Sequence, residues 1–208
     1  MRGYIDLREP PPNRCSFCQG GQEKHLTEGA VMIAFGMYLL EQGALTVELH
    51  PDGEHGKRHD LKTTLEANGL KLIQPEGTTP YGGTYQQGNQ TVRVTLRPGL
   101  GDVVAQLNEK KLIAECKGGI VNTRHAGQLS KLRKGLCEAV GLLMARPANP
   151  QERHVAVVPA TPETQKVANR MCKRAAAAGI EIALVDENGL VNFVSSQSSI
   201  GVVHTPFQ

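Results

Sequence analysis

The chain has 208 residues, a formal net charge of +3 at pH 7 and 39% hydrophobic residues. This size and composition are typical of one soluble globular domain and exclude a wholly disordered chain. The small net charge permits nucleic-acid binding without requiring it, and an aromatic content of 4% does not favour a base-stacking surface for single strands.

The cysteines and the apolar runs bear on where the protein works. Three of the five cysteines, Cys116, Cys137 and Cys172, fall inside predicted helices or strands, so we expect no disulfide framework. The N-terminal sequence MRGYIDLREPPPNRC has no apolar signal core, and the longest apolar run, AVMIAFGMYLL, is much shorter than a membrane span. We therefore expect a cytoplasmic protein without a membrane partner.

The first half of the chain predicts a lead-in, a helix, a strand and an irregular insertion. Residues 1–24 contain three consecutive prolines and predict a loop-rich lead-in. Apolar residues at three- and four-residue spacing predict a helix from about Leu26 to Gln42, and ALTVEL predicts a strand after it. Residues 50–90 predict a loop, a short helix, the strand LKLIQ and a mobile, Gly-rich stretch. We interpret them as an insertion within a single domain that spans residues 25–208.

The second half alternates strands and helices. The β-prone run TVRVTLRP precedes a hairpin, a helix from Gly127 to Arg146 and the buried strand HVAVVPA. Thr161 is expected to cap the next helix, and Asn188-Gly189 to turn a final hairpin. This order predicts an α/β fold, a three-layer α/β/α sandwich in which helices cover both faces of a central mixed β-sheet.

The segment GDVVAQLNEKKLIAECKGG carries charges on strands that otherwise suit burial. A tight turn at Asn108-Glu109 places Asp102 opposite Glu115, and a turn one residue later places Asp102 opposite Lys117. The two-residue period of a strand puts only apolar side chains on one face, whereas the three charged groups share one end of the other face. Directly opposed side chains lie about 5 Å apart, so we expect these groups to cluster.

This charged cluster has the composition of a hydrolytic metal site. Two carboxylates this close repel each other unless one is protonated or a cation lies between them. Their oxygens suit Mg²⁺ or Mn²⁺, which activate a bound water and offset phosphate charge, while Lys117 can orient that water or stabilise the transition state. Asp102, Glu115 and Lys117 therefore predict metal-assisted phosphodiester hydrolysis. The alternative is an ordinary Glu–Lys salt bridge on a surface hairpin; the apolar opposite face and the following Gly118-Gly119, which leave room for a backbone to approach, favour the functional interpretation.

Asp102 and the Glu115-Cys116-Lys117 triplet resemble the signature of the PD-(D/E)XK nuclease superfamily, which has the restriction-endonuclease-like fold. The order of predicted elements agrees, over roughly Leu26 to Val185 outside the insertion, although Gly101 stands where the signature has Pro. The resemblance implies a metal-dependent endonuclease with double-stranded DNA as the expected substrate. Phage defence, restriction, DNA repair and recombination are the settings that it implies.

The resemblance also implies further site residues. A Glu on the first helix helps to hold metal in many members, and Glu28 matches that position, although the helix dipole alone favours an acid there. Some members use a Gln on the helix after the hairpin, for which Gln128 is the candidate; the alternative is an ordinary polar residue at a helix start. His125 lies just past the hairpin and could line the site; the alternative is a loop histidine with no part in it.

Two other patterns indicate ligands. Cys15 and Cys18 form a C-x-x-C pair, which is half of a structural zinc site, and the remaining ligands would be His25, or His55 and His59. The alternative is that both cysteines are free thiols. Five cationic side chains suit contacts with phosphates, and the alternative is that they only form a solvated surface. They are Lys57, Arg58, Lys131, Arg133 and Lys134.

Two alternatives to a nuclease are considered. The first is a non-catalytic nucleic-acid-binding or assembly subunit with a nuclease-like fold, which the intact Asp102, Glu115 and Lys117 disfavour. The second is a different α/β enzyme, but the sequence contains no P-loop, G-x-G-x-x-G or G-x-S-x-G motif. A homo-oligomer or a larger defence or repair complex is compatible with each interpretation.

Overall fold

A computed structural model of the protein describes residues 3–52 and 58–195. Within these ranges the chain folds into twelve strands, four α-helices and one 3-10 turn. The strands are β1 (Ile5–Arg8), β2 (Glu23–Leu26), β3 (Thr46–Leu49), β4 (Lys71–Pro75), β5 (Gly83–Gln87), β6 (Gln90–Val94), β7 (Val103–Leu107), β8 (Lys110–Cys116), β9 (Gly119–Ile120), β10 (Glu152–Pro159), β11 (Ile180–Val185) and β12 (Val191–Phe193). The helices are α1 (Glu28–Glu41), α2 (Leu61–Ala67), α3 (Ala126–Met144) and α4 (Pro162–Ala177), and the 3-10 turn is Cys15–Phe17.

The described strands form two sheets. The large sheet is mixed and has the order β12-β11-β10-β8-β7-β3-β6-β5-β4, and the small sheet has the order β1-β2-β9. In the large sheet β10 pairs in parallel with β8 and β11, and β3 pairs in parallel with β6. The remaining neighbours are antiparallel. The predicted mixed sheet is therefore confirmed.

Helices cover both faces of the large sheet. Val155 and Val157 of β10 belong to the core cluster that contains α1, whereas Ala156 and Val158 of the same strand belong to the cluster formed with α3 and α4. This alternation follows from the two-residue period of a strand that is buried on both faces. The arrangement is compatible with the predicted three-layer α/β/α sandwich.

Helix α1 is almost fully buried and begins at a defined cap. Nearly all of its residues are buried, as its uninterrupted apolar sequence requires. The Thr27 hydroxyl oxygen accepts a hydrogen bond from the Ala30 amide, which stabilises the first turn. This cap fixes Glu28 as the first residue of the helix, and the positive φ of 99° at Gly43 follows its last turn.

The hairpin β7–β8 has the predicted turn. Asn108 and Glu109 have φ values of 50° and 64°, the left-handed pair that a two-residue hairpin turn requires. Val103 pairs with Ala114, and Leu107 pairs with Lys110. Continuing this register places Asp102 opposite Glu115, so the first of the two predicted turns is the one observed.

Three stretches differ from the sequence prediction: two contain strands where loops are expected, and one hairpin has a longer turn. Residues 1–24, expected to be loop-rich, contain β1 and the start of β2. The stretch expected to be mobile contains β5, because Gly83 lets this strand approach β4 so closely that an added Cβ would lie 2.3 Å from the Gln74 oxygen. The β11–β12 connection is longer than two residues, since the Asp186 amide donates to the Leu190 oxygen and its carboxylate accepts from two following amides.

Within the described residues, none of the helices combines the length and the apolar character needed to cross a membrane.

Candidate active site

The end of the β7–β8 hairpin brings the two predicted carboxylates together. The Asp102 carboxylate accepts a hydrogen bond of 2.7 Å from the Cys116 amide, so it lies against the strand that carries Glu115. The Asp102 amide donates to the Ala114 oxygen at 2.9 Å, which continues the ladder past the end of β7. The predicted apolar face of the hairpin is buried beneath α1 and includes Cys116. Asp102 is therefore fixed by its backbone and its side chain.

Glu28 and Lys117 meet across two elements. The Lys117 Nζ lies 3.2 Å from the Glu28 Oε1 and 3.3 Å from the Glu138 Oε1 of α3. About a fifth of each of the Lys117 and Glu28 side chains is exposed, so this pair is only partly open to water. The structure thus places the predicted helical Glu next to the predicted strand Lys.

Two glycines after β8 permit this junction. A Cβ on Gly118 would lie 2.4 Å from the Glu28 nitrogen and 2.5 Å from the Thr27 carbonyl carbon. A Cβ on Gly119 would lie 2.4 Å from the Leu132 Cδ2. The start of α1 therefore packs directly on the backbone that follows Lys117, as the predicted close approach of a backbone requires.

Gly118→Ala is expected to destabilise the fold and to separate Glu28 from Lys117. Backbone atoms must move to admit the methyl group, and such overpacking costs about 1–3 kcal/mol. Urea unfolding measures the loss. Gly141→Ala in α3 is the matched control, because its added Cβ meets nothing within 4 Å, and it should stabilise the protein by about 0.5–1 kcal/mol. Equal unfolding midpoints for Gly118→Ala and the wild type would contradict the close packing.

Glu115 is a buried acid with competing neighbours. Its residue is only 8% exposed, and burial raises the pKa of its carboxyl group, as does the nearby Asp102. Arg146 opposes this shift, since its Nη2 lies 3.1 Å from the Glu115 Oε1. The pKa remains above its usual value, so the folded protein holds this carboxylate ionised at a cost. Such a destabilised acid is typical of a functional site.

Glu115→Gln is expected to raise the free energy of unfolding at pH 7 to 8. A raised pKa in the folded state favours the protonated acid, so its stability contribution is complete below the unfolded pKa and is lost as pH rises through the folded pKa. The advantage of the neutral Gln should therefore disappear as pH falls below about 4, near the usual pKa of Glu. Urea unfolding across this range is the measurement. A Glu115→Gln protein that is less stable at pH 8 than at pH 4, relative to wild type, would contradict the raised pKa of Glu115.

Lys117 is held as a cation. Burial by itself lowers the pKa of its ammonium group, but Glu28, Asp102 and Glu138 together raise that pKa above its usual value. The side chain is therefore protonated throughout the neutral range. It can donate hydrogen bonds and offset negative charge, whereas it is unsuited to removing a proton from water.

Asp102 and Glu115 suit a divalent cation that takes its remaining ligands from water or substrate. Among residues 3–52 and 58–195, no three His, Cys, Asp or Glu side chains are grouped so that they could hold a metal ion by themselves. Mg²⁺ rarely uses such a protein cage and usually binds one or two carboxylates together with substrate phosphates. Burial and the nearby Asp102 raise the pKa of the Glu115 carboxyl group, so a cation would stabilise its ionised form, and the oxygens of both residues suit Mg²⁺ or Mn²⁺. The part of Glu28 as a ligand stays a prediction.

A positively charged cavity adjoins Glu28. It has a volume of about 350 Å³ and is bounded by Gly118, Gly119 and the start of α1. Arg58 and Lys131, two of the predicted phosphate-binding cations, line it, as does Gln128. Arg133 lies elsewhere and pairs with Glu163 at 3.2 Å, and Lys57 is outside the described residues. We refer to this space as the basic cavity.

The described residues that are proposed as zinc ligands make hydrogen bonds to other groups. The Cys15 and Cys18 thiols contact backbone oxygens around the 3-10 turn. The His25 ring bonds to Glu23 at 2.9 Å, and the buried His59 ring bonds to the Thr64 hydroxyl at 2.9 Å. His55 lies outside the described residues, so the zinc site stays a prediction.

Three further residues near the hairpin, His125, Glu138 and Arg146, make contacts that the sequence does not predict. His125 immediately precedes α3 without a capping hydrogen bond from its side chain, and its ring packs edge-on against Phe17, with ring centroids 5.2 Å apart. Glu138 and Arg146 were not predicted, although each forms an ion pair with a site residue. The sequence feature that could have indicated Glu138 is Gly135, a glycine within α3 and one helical turn before Glu138. A Cβ added to Gly135 would lie 3.2 Å from the Lys117 Cβ, so this face of the helix packs closely against Lys117.

Comparisons of the chain with protein-family models, curated proteins and solved structures found no match. The resemblance to PD-(D/E)XK nucleases therefore rests on the hairpin residues and the order of elements, and it stays a hypothesis.

Proposed function

We propose that the protein is a metal-dependent phosphodiester hydrolase of nucleic acid, and specifically a DNA endonuclease with a restriction-endonuclease-like fold. The observation that carries this proposal is the meeting of Asp102, Glu115 and Lys117 at one hairpin end, against Glu28 from another element. Such an enzyme fits phage defence, restriction, or DNA repair and recombination in the cytoplasm.

The two hairpin carboxylates would hold the metal. Asp102 and Glu115 supply hard oxygen ligands for Mg²⁺ or Mn²⁺, with Glu28 assisting. When bound, the ion lowers the pKa of a water molecule and offsets charge on the phosphate. The hydrogen bond from the Cys116 amide holds the Asp102 carboxylate against the strand that carries Glu115. Burial of Glu115 keeps bulk water away from one side of the site.

Lys117 acts on the phosphate as a fixed positive charge. Its raised pKa supports electrostatic stabilisation of the developing negative charge and argues against a role as general base. Two carboxylates, Glu28 and Glu138, hold the ammonium group in place before substrate arrives. This preorganisation lowers the cost of orienting the charge during the reaction.

Before a metal binds, Arg146 is the ion-pair partner of Glu115. Its guanidinium group lies 3.1 Å from Glu115, and it favours the ionised form that metal binding needs. The metal would then compete with Arg146 for the same carboxylate, so weak Mg²⁺ binding in the absence of nucleic acid is expected.

A cleavage assay with several substrates tests the proposal. Supercoiled plasmid, linear duplex, single-stranded DNA and RNA are each incubated with the protein in Mg²⁺, in Mn²⁺ and in EDTA. We expect the plasmid to be nicked or linearised only in the presence of a divalent metal. Binding of nucleic acid without cleavage in any metal would favour the non-catalytic alternative, and neither binding nor cleavage would reject both.

A further inference from the structure

The basic cavity carries a concentration of positive charge that the hydrolytic group does not account for. Arg8, Arg14, Arg58 and Lys131 line it, and Glu28 is the single carboxylate among the described residues that form its wall. Glu28 already faces Lys117 at 3.2 Å. The cavity is therefore suited to an anion.

Two long helices begin at this cavity. Residues of the first turn of α1, including Gly29, line one side, and Gln128 and Lys131 near the start of α3 line another. Each helix start has a partial positive charge of about half a unit and presents backbone amides. The two helix dipoles therefore add to the side-chain cations, of which Arg8 and Arg14 already pair with carboxylates of the protein, whereas Lys131 has no such carboxylate partner among the described residues.

Two of the arginines are held in position by other groups. Arg14 donates two hydrogen bonds, of 2.7 and 3.1 Å, to the buried Glu23. Arg8 donates to Asp6 at 2.7 Å and to the Arg58 backbone oxygen at 2.9 Å. Side chains fixed in this way lose little entropy when a ligand binds.

We propose that the basic cavity binds one phosphate group of a nucleic-acid strand, beside the phosphate on which the hairpin acts. Its volume of about 350 Å³ lies at the small end of ligand sites, so it admits a phosphate with its sugar and excludes a duplex. Glu28 belongs both to the cavity wall and to the Lys117 pair, which places the bound phosphate next to the hydrolytic group. The identity of the ligand rests on the proposed function, whereas the anion site rests on the cavity alone.

Lys131→Gln and Lys134→Gln form the test pair. Both lysines are exposed on α3 and carry the same charge, but only Lys131 is among the lining residues described for the cavity. Affinity for labelled DNA oligonucleotides is measured in EDTA, where no cleavage interferes, over a range of salt concentrations. We expect Lys131→Gln to weaken binding several-fold and to reduce the slope of log affinity against log salt by about 1, whereas Lys134→Gln changes neither.

Oligonucleotides with a 5′-phosphate, a 3′-phosphate or only terminal hydroxyls identify the source of the phosphate. A greater loss for one phosphorylated end supports a terminal phosphate, and an equal loss for all three supports an internal one. Equal effects of the two substitutions, or a wild-type protein that binds none of the oligonucleotides, would overturn the proposal. Because binding is measured without cleavage, a positive result stands even if the protein hydrolyses nothing, and a failure here leaves the cleavage assay as a separate test.

Discussion

Glu115→Gln is expected to abolish Mg²⁺-dependent cleavage while leaving the fold intact. The substitution removes one of two proposed metal ligands but keeps an oxygen that can accept a hydrogen bond from Arg146. The neutral side chain also relieves the cost of ionising a buried acid, so the variant should be at least as stable as wild type at pH 7. Plasmid nicking and urea unfolding, measured on the same preparation, check the two halves of the prediction.

Glu109→Gln is the matched control for this experiment. It changes the same residue type in the same hairpin, but at the exposed turn away from the site. The control should cut at the wild-type rate. A folded Glu115→Gln protein that also cut at the wild-type rate would show that hydrolysis occurs elsewhere. Gain of stability together with loss of activity is the pattern expected of a functional residue held at a cost.

Lys117→Met is expected to lower the rate of cleavage by about 10²–10³-fold, the usual effect of removing one electrostatic stabiliser of a transition state. Methionine keeps much of the volume of the lysine stem, so the change removes charge more than packing. Mn²⁺ affinity should fall little, because the proposed ligands Asp102 and Glu115 remain. Single-turnover kinetics and Mn²⁺ titration separate the two effects.

Lys111→Met provides the control for the lysine substitution. The substitution removes the same charge as Lys117→Met, but at the exposed start of the same strand, β8, away from the site. Loss of activity in Lys117→Met but not in Lys111→Met supports a local role for the ammonium group. A similar modest loss in both variants would indicate that the protein's overall charge, rather than Lys117, assists the reaction.

The features that the sequence predicted correctly depend on local patterns. Alternation of apolar and polar residues identified both strands of the β7–β8 hairpin, and the turn at Asn108-Glu109 fixed their register. The approach of a backbone to Gly118 was also predictable, because two adjacent glycines at a strand end leave room that other residues would fill. The position of Glu28 required the family resemblance, since helix periodicity alone does not relate it to Lys117.

The features that were missed depend on contacts between distant parts of the chain. Arg146 follows the end of α3 and reaches Glu115 only because that helix packs across the sheet. Arg8 belongs to a strand in a segment that was expected to be loop-rich, so its place in the basic cavity could not be predicted. The glycines around β5 predict a mobile stretch, whereas pairing with β4 and β6 and the buried Tyr85 stabilise a strand there. In β1 and β5, tertiary packing overrides a weak local preference for a loop.

The single-turnover rate of DNA cleavage by wild type and Asp102→Asn, measured as Mg²⁺ is varied, shows whether the hairpin carboxylates hold the metal that cleavage requires. Asn retains the oxygen that accepts the Cys116 amide hydrogen bond, so the hairpin should keep its shape while the metal loses a charged ligand. We expect a wild-type rate that rises with Mg²⁺ to a plateau and disappears in EDTA, and an Asp102→Asn rate that stays at background at every Mg²⁺ concentration. A folded Asp102→Asn protein that followed the wild-type curve, or wild-type cleavage that persisted in EDTA, would contradict the proposed metal site.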